Sequence, residues 1–354
     1  MGLAGVVRPL ILNAFDVDPG AGERTLELHC VSAAQLGLAA DLLVLAADPG
    51  CDDGSGRPAA EVLRALGLSS VEPSELLDFR GNGINAWVSE QLPGGSVVPL
   101  GAGTAFQRLA VLEDPLPSSP NSGAAWPAFR QLFCLLAILP LHGLHCPVVA
   151  MPLPDIGEGG QATTPIVEDL LHCVRSGFRH VPDLERLILF DEHPGALEFL
   201  AERIDKELGR NSSDRQLLNM PHSAGLIAEL SSQLSVFTSR CRIDAIASDV
   251  NELQHLLAAT SISPVALGLH CRRLVERLVR HQLGGRSTGL YRGLRCLSDK
   301  GVSPWTISCL HQVRVFGNWM GHPSEPEHRQ TVTELDLIST LTALHRALEA
   351  FPWL

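Results

Sequence analysis

The sequence lacks the patterns that define several large protein classes. Its nine cysteines are odd in number and include no CxxC pair, which indicates buried, reduced thiols rather than a zinc site or a disulfide framework. The N-terminal apolar run has no basic segment before it, so we read it as a strand and not as a signal peptide. The longest apolar helical segment, residues 129–141, carries Arg130 and is too short to span a bilayer. We therefore expect a cytoplasmic protein with no membrane partner.

Charged and aromatic residues are also scarce. Charged residues make up 19% of the chain and aromatic residues 5%, and tyrosine occurs once, at Tyr291. The formal net charge of −12 argues against broad, non-specific binding to nucleic acid. The 354 residues are 45% hydrophobic, so the chain can bury a proper core, and its length indicates two domains.

The two parts of the chain differ in periodicity. Before Gly209, strand-like and helix-like segments alternate, which predicts an α/β domain with a largely parallel or mixed sheet flanked by helices. The predicted strands are 25–31, 41–47, 96–100, 148–151 and 184–190, and the predicted helices are 58–66, 127–139, 164–176 and 194–208. After Gly209 helical spacing dominates, over 223–239, 250–259, 264–282, 288–298, 304–320 and 331–350. We predict an α/β domain over 1–208, a linker over 209–221 and an all-α helical bundle over 222–354.

A glycine-rich loop joins the predicted strand 148–151 to the predicted helix that begins at Thr164. Glycines let backbone N–H groups approach a ligand closely, and the start of a helix adds partial positive charge. The arrangement is typical of a phosphate-binding loop, although the same glycines would also make an ordinary tight turn. The candidate binding residues in this loop are Asp155, Ile156, Gly157, Glu158, Gly159 and Gly160.

Residues 20–208 resemble a macro domain. The loop beginning at Pro154 fits the family's Pro-x-Ile motif, and the segment DLLVLAADPG, with GSGRPAAEVLRALG after it, is similar to the family's second strand, first ligand loop and next helix. The resemblance implies that ADP-ribose, an NAD-derived compound or another nucleotide binds between two loops. It implies no resident cofactor or metal. The residues that the first loop would contribute are Ala47, Asp48, Gly54 and Gly56.

Some residues differ from the macro-domain pattern, and these differences make hydrolysis of ADP-ribose less expected than binding. Leu45 stands where many hydrolytic members have an Asn that positions the distal ribose, and the adenine-contacting Asp falls near Cys30. We therefore expect a binding or sensing protein, with ADP-ribosyl hydrolase as the least expected activity. Asp48 is equally compatible with a turn. Asp52 and Asp53 indicate a solvated loop more than a metal pair.

The segment HQVRVFGNWMGHP, residues 311–323, is the distinctive run of the predicted bundle. Its Arg314, Asn318 and His322 are spaced by four and lie on one helical stripe. The pattern resembles the Arg, Gly-Asn, His signature of a small helical family of unknown function that is akin to HEPN domains. This resemblance covers about residues 250–350. It implies a homo-oligomer formed through the bundle, in antiviral defence or stress signalling.

The stripe has two interpretations. In a metal-free ribonuclease, His322 would act as base or acid and Arg314 would hold the phosphate, which makes RNA a partner of a ligand-gated enzyme. HEPN nucleases usually have an Arg directly before the polar residue, where this chain has Gly317. We therefore favour a structural network of Arg314, Asn318 and His322. A nuclease would gather the arginines of the bundle around His322, whereas a structural bundle would scatter them or pair them with Glu276 and Asp299.

Overall fold

The computed structural model describes most of the chain, with gaps at several loops. The described residues are 10–17, 24–31, 39–47, 71–92, 105–113, 127–153, 164–191, 194–210, 212–240, 244–285, 289–322 and 331–353. Contacts divide the chain into two compact units. The first comprises Met1–Leu12 and Arg24–Ala201, and the second comprises Asn13–Glu23 and Glu202–Leu354. The predicted boundaries at residues 208 and 222 remain predictions.

A mixed β-sheet organises the earlier part of the chain. Among the described residues its strands are β1 Leu10–Asp16, β2 Thr25–Cys30, β3 Ala39–Ala47, β4 Pro73–Asp78, β5 Ala86–Ser89, β6 Ala105–Glu113, β7 Val148–Pro152 and β8 Arg186–Asp191. Their order is β1-β2-β8-β7-β3-β6-β5-β4. The five strands from β2 to β6 in this order run parallel, whereas β5 is antiparallel to β6 and β4 is antiparallel to β5.

The central strand β3 could be predicted from its continuous apolar run because both of its faces are covered. Residues 42–45 are at most 1% exposed, and residues 43 and 45 belong to an apolar cluster that includes Ile188. A parallel strand covered on both faces needs such a continuous apolar run. The helices of this part are α1 Pro127–Ile138, α2 Thr164–His180 and α3 Pro194–Glu207. The predicted α/β architecture is therefore confirmed.

Three strands, β4, β5 and β6, were missing from the prediction. β5 has four residues, and β4 is an edge strand that begins at Pro73 and exposes Leu76, so neither carries a clear alternation. β6 is interrupted by Gln107 and Arg108. The predicted helix 58–66 and the predicted strand 96–100 lie outside the described residues.

A buried ion pair joins β2 to β8. Arg186 donates from Nε to Oε1 and from Nη2 to Oε2 of Glu27, at 3.0 and 2.9 Å. Thr25 Oγ1 donates to the same carboxylate at 3.1 Å, and His29 Nε2 lies 3.0 Å from it. All four side chains are buried, so the pairing offsets the cost of desolvating two charges.

The later part of the chain is helical, as predicted. Its described helices are α4 Ala224–Arg240, α5 Asp244–Leu257, α6 Pro264–Gln282, α7 Leu290–Asp299, α8 Pro304–Gly321 and α9 Glu334–Glu349. Two proline residues follow serines at the starts of α6 and α8, where a missing N–H costs nothing. α9 begins later than predicted because Thr333 forms a capping box with Asp336. A two-residue antiparallel pair, β9 Leu218–Asn219 and β10 Ser261–Ile262, was not predicted.

Burial makes two of the described cysteines unreactive, and the described helices are unlike membrane spans. Burial raises the pKa of Cys146 and of Cys271 to about 12, so these thiols are poor nucleophiles. The described cysteines form no disulfide with one another. None of the described helices combines the length and the apolar character that crossing a bilayer would require.

Candidate functional site

Two glycines bring α6 and α8 unusually close together. A Cβ built on Gly317 would lie 2.5 Å from Cβ of Arg272 and 2.8 Å from the carbonyl oxygen of Gly268. A Cβ on Gly268 would lie 2.7 Å from Cγ of Met320. All three distances are shorter than real Cβ contacts, so the helices pack this closely only because both positions lack a side chain. The Arg272 side chain therefore runs across the surface of α8 at Gly317.

The guanidinium of Arg272 reaches His322, which follows the last residue of α8. Nη1 of Arg272 lies 2.7 Å from Nε2 of His322, and Nη2 lies 3.1 Å from Oδ2 of Asp16. The same carboxylate oxygen is 3.3 Å from Nε2 of His322. A guanidinium has no acceptor, so in a hydrogen bond with Arg272 the Nε2 atom of His322 is the acceptor. Asp16 is fully buried, whereas the His322 side chain is 19% exposed.

The backbone around His322 explains its position. α8 ends at Gly321, and His322 has an extended conformation with φ −113° and ψ 153°. The next residue in the sequence is Pro323, which disfavours helical backbone at the residue before it. The helix therefore persists to Gly321, as predicted, and the extended turn directs His322 to Arg272 and Asp16.

Asp16 is held in place by a second buried network in the same unit. Arg210 donates from Nε to Oδ1 of Asp205 at 2.8 Å, and it also donates to the side-chain oxygen of Asn13 and to the carbonyl oxygen of Met320. Asn13 Nδ2 donates to Asp205 Oδ1 at 3.1 Å. Because Met320 is near the end of α8, Arg210 ties the segment that carries Asp16 to the helix that carries His322.

Arg314 and Asn318 have different surroundings from His322. Nε of Arg314 donates to Nδ1 of His311 at 3.3 Å, and the guanidinium lies 5.4 Å from the centre of the Tyr291 ring. Burial, and then the charge of Arg272, lowers the pKa of Arg314. Among the described residues the Asn318 side chain makes no hydrogen bond, and none joins Arg314 to His322. Among the described residues the three side chains therefore form no shared hydrogen-bond network, contrary to the prediction, and His322 instead contacts Arg272 of α6 and Asp16 of β1.

Most other arginines of the helical part are paired with acids. Arg273 lies 3.5 Å from Glu252, and Arg277 lies 2.5 Å from Asp249. Arg280 lies 3.9 Å from Glu276 on its own helix. Arg292 and Arg295 are exposed on α7, and Arg286 lies outside the described residues. Three of these arginines therefore lie near acids, and two are exposed on α7.

A cavity of about 350 Å³ lies between α8 and α9. His311, which accepts the hydrogen bond from Arg314, is part of the cavity lining. Its lining is Gln312, Val315, Phe316, Trp319, Thr331, Val332, Asp336, Ser339 and Thr340, in addition to His311. Burial and the charge of Arg314 lower the pKa of His311, so its ring is neutral near pH 7. No group of three or more His, Cys, Asp or Glu residues in the described parts of the chain could hold a metal ion.

The predicted nucleotide-binding loops lie almost wholly outside the described residues. This applies to Asp48, Gly54 and Gly56 of the first loop and to residues 155–160 of the second. Ala47 is the last residue of β3, and β7 ends at Pro152. β3 and β7 pair in parallel, with Leu42 opposite Val149. The strands that precede the two loops therefore end side by side, at the same edge of the sheet.

Comparison with known proteins covers the helical part only. Residues 254–351 match DUF4145, a domain of unknown function. A search of curated proteins found no match. The matched segment includes Arg272, Arg314, Asn318 and His322 but not Asp16. It agrees with the predicted range of about 250–350 and confirms that this part is similar to a domain family of unknown function. The kinship with HEPN domains and the likeness of the first part to macro domains remain predictions.

Proposed function

We propose that this protein binds or senses a nucleotide-type ligand of the ADP-ribose class and that its helical part is a dimerisation or effector module. From the resemblances we also propose a role in prokaryotic defence or stress signalling. The ligand site consists of the loop after β3, with Asp48, Gly54 and Gly56, and the glycine-rich loop after β7. We propose that the protein binds this ligand and does not hydrolyse it.

The observation that carries the proposal is the topology between β3 and β7. From β3 the chain continues to β4 at one end of the sheet order, whereas from β7 it continues through α2 to β8 on the opposite side. Ligands of open α/β sheets bind in the crevice outside the carboxyl ends of the two strands where the connections diverge. Both predicted loops follow those two strand ends in the sequence.

The environment of Leu45 supports binding without hydrolysis. Its side chain is 1% exposed and packs in the apolar cluster of the sheet. A buried leucine offers no hydrogen bond to a ribose hydroxyl. We therefore expect no release of ADP-ribose from a modified protein at enzymatic rates.

A calorimetric comparison of two glycine variants tests the ligand site. A thermal-shift screen with ADP-ribose, NAD and cyclic dinucleotides selects the ligand, and titration then measures its affinity. Gly159→Glu places a carboxylate where the phosphate is expected, and it should weaken binding by about 100-fold or more, because opposed like charges cost several kcal/mol. Gly195→Glu is the matched control. It lies in the first turn of α3, also after a strand, and a Cβ there meets no atom within 4 Å. Equal affinity in both variants would reject the site.

A ligand-gated ribonuclease is the second candidate. The observation in its favour is the partly exposed imidazole of His322 next to the guanidinium of Arg272. The pairing of Arg272 with Asp16 and of the neighbouring arginines with acids favours the structural role. RNA cleavage by the wild-type protein that disappears in a stable His322→Ala variant would establish the nuclease instead.

A further inference from the structure

Arg314 differs from the other partly buried arginines of the helical part in what it faces. Arg273, Arg277 and Arg280 each lie near a carboxylate of a neighbouring residue. Among the described residues, Arg314 has no carboxylate within 4.0 Å and instead contacts an imidazole and a phenol ring. A partly buried guanidinium that has no carboxylate nearby among the described residues can pair with an anion from solution.

A second guanidinium adds to the positive charge at this point. The Arg272 side chain crosses α8 at Gly317, and its charge acts on Arg314. Asp16 offsets the charge of Arg272, and His311 is neutral near pH 7. Among the described residues, no carboxylate within 4.0 Å offsets the charge of Arg314, on a protein whose formal net charge is −12.

The groups around Arg314 can donate hydrogen bonds to an oxyanion. Asn318 lies one turn further along α8, and its amide makes no hydrogen bond among the described residues. Tyr291 is 54% exposed, carries a hydroxyl, and has its ring centre 5.4 Å from the guanidinium. Charge-assisted hydrogen bonds from guanidinium to phosphate are among the strongest in proteins.

We propose that Arg314, Asn318 and Tyr291 form a binding site for a small phosphate-type oxyanion, separate from the nucleotide loops of the α/β part. We infer a small anion and not RNA as the occupant, because Arg273, Arg277 and Arg280 along α6 lie near acids, although Arg292 and Arg295 of α7 are exposed. This inference does not depend on the proposed function, since its residues all lie on α7 and α8.

Titration with inorganic phosphate and pyrophosphate at low ionic strength tests the site. All variants are made in the full-length Gly159→Glu background, which removes binding at the glycine-rich loop from the signal. Arg314→Gln should weaken phosphate binding at least about tenfold, the change expected for one lost charge-assisted hydrogen bond. Asn318→Asp should also abolish binding, because its carboxylate would pair with Arg314. That variant should raise the melting temperature.

Arg346→Gln is the matched control. Arg346 is exposed on α9 and pairs with Glu349, so the change in net charge is the same but lies outside the site. Loss of phosphate binding in Arg314→Gln and Asn318→Asp, with binding kept in Arg346→Gln, supports the proposal. Equal binding in all variants, or no binding in the Gly159→Glu parent, overturns it. Tighter binding of single-stranded RNA than of pyrophosphate, with the same dependence on Arg314, also overturns it.

Discussion

Replacing Gly317 with alanine tests whether the close packing of α6 on α8 outweighs the higher helical propensity of alanine. In an exposed helix interior, glycine to alanine stabilises by about 1 kcal/mol. At position 317 the new Cβ would lie 2.5 Å from Cβ of Arg272 and 2.8 Å from the carbonyl oxygen of Gly268. The second of these atoms is backbone, so the clash is not relieved by a rotamer change and the helices must move apart.

The magnitude follows from these two opposed effects. Overpacking of a tight core costs about 1–3 kcal/mol, against the propensity gain of about 1 kcal/mol. We expect Gly317→Ala to lower the free energy of unfolding by up to about 2 kcal/mol. Gly268→Ala should cost less, since its closest contact is the flexible side chain of Met320. The separation would also draw Arg272 away from His322.

Urea denaturation followed by far-ultraviolet circular dichroism measures the change. The control is Gly225→Ala on the exposed face of α4, where a Cβ meets no atom within 4 Å. That variant should be neutral or stabilised. If Gly317→Ala gained as much stability as Gly225→Ala, the close approach of α6 and α8 would be refuted.

Two further predictions concern histidines. His322→Ala should lower the free energy of unfolding by about 1–3 kcal/mol, because Arg272 loses a buried acceptor. The exposed His222→Ala serves as its control, and equal stability of both would contradict the structural role. The lowered pKa of His311 makes its contribution to stability complete above the unfolded value of about 6.5 and lost as the pH falls through the folded value. His311→Gln should therefore flatten the decline in urea midpoint between about pH 7 and pH 5, and an unchanged decline would argue against it.

The elements that were predicted correctly carry strong local signals in the sequence. β3 is a run of apolar residues, and α6 and α8 begin with a serine and a proline, so periodicity and capping agree. The missing strands carry weaker local signals: β4 is an edge strand, β5 has four residues, and β6 is interrupted by Gln107 and Arg108. β6 also pairs with the distant strand β3, with Ala105 opposite Ala39, and single-sequence patterns do not record such pairing.

The candidate site was predicted only in part, for a related reason. Four-residue spacing places Arg314, Asn318 and His322 on one face of α8, and it also predicts where that helix ends. It does not show which residues of other elements meet that face. Arg272 comes from α6 and Asp16 from β1, more than two hundred residues earlier than α8. Asp16 is also outside the segment that matches a known domain.

Gly317 connects the unusual motif with the choice between a structural and a catalytic site. In the resemblance to HEPN nucleases, position 317 would hold an arginine, but here that space is occupied by the Arg272 side chain from α6. A guanidinium thus still reaches His322, although from another helix. It arrives already paired with the buried carboxylate of Asp16, so much of its charge is neutralised before any phosphate could approach. The guanidinium of Arg272 therefore joins α6, α8 and the end of β1, and Arg314 is the cation that we propose for the oxyanion site.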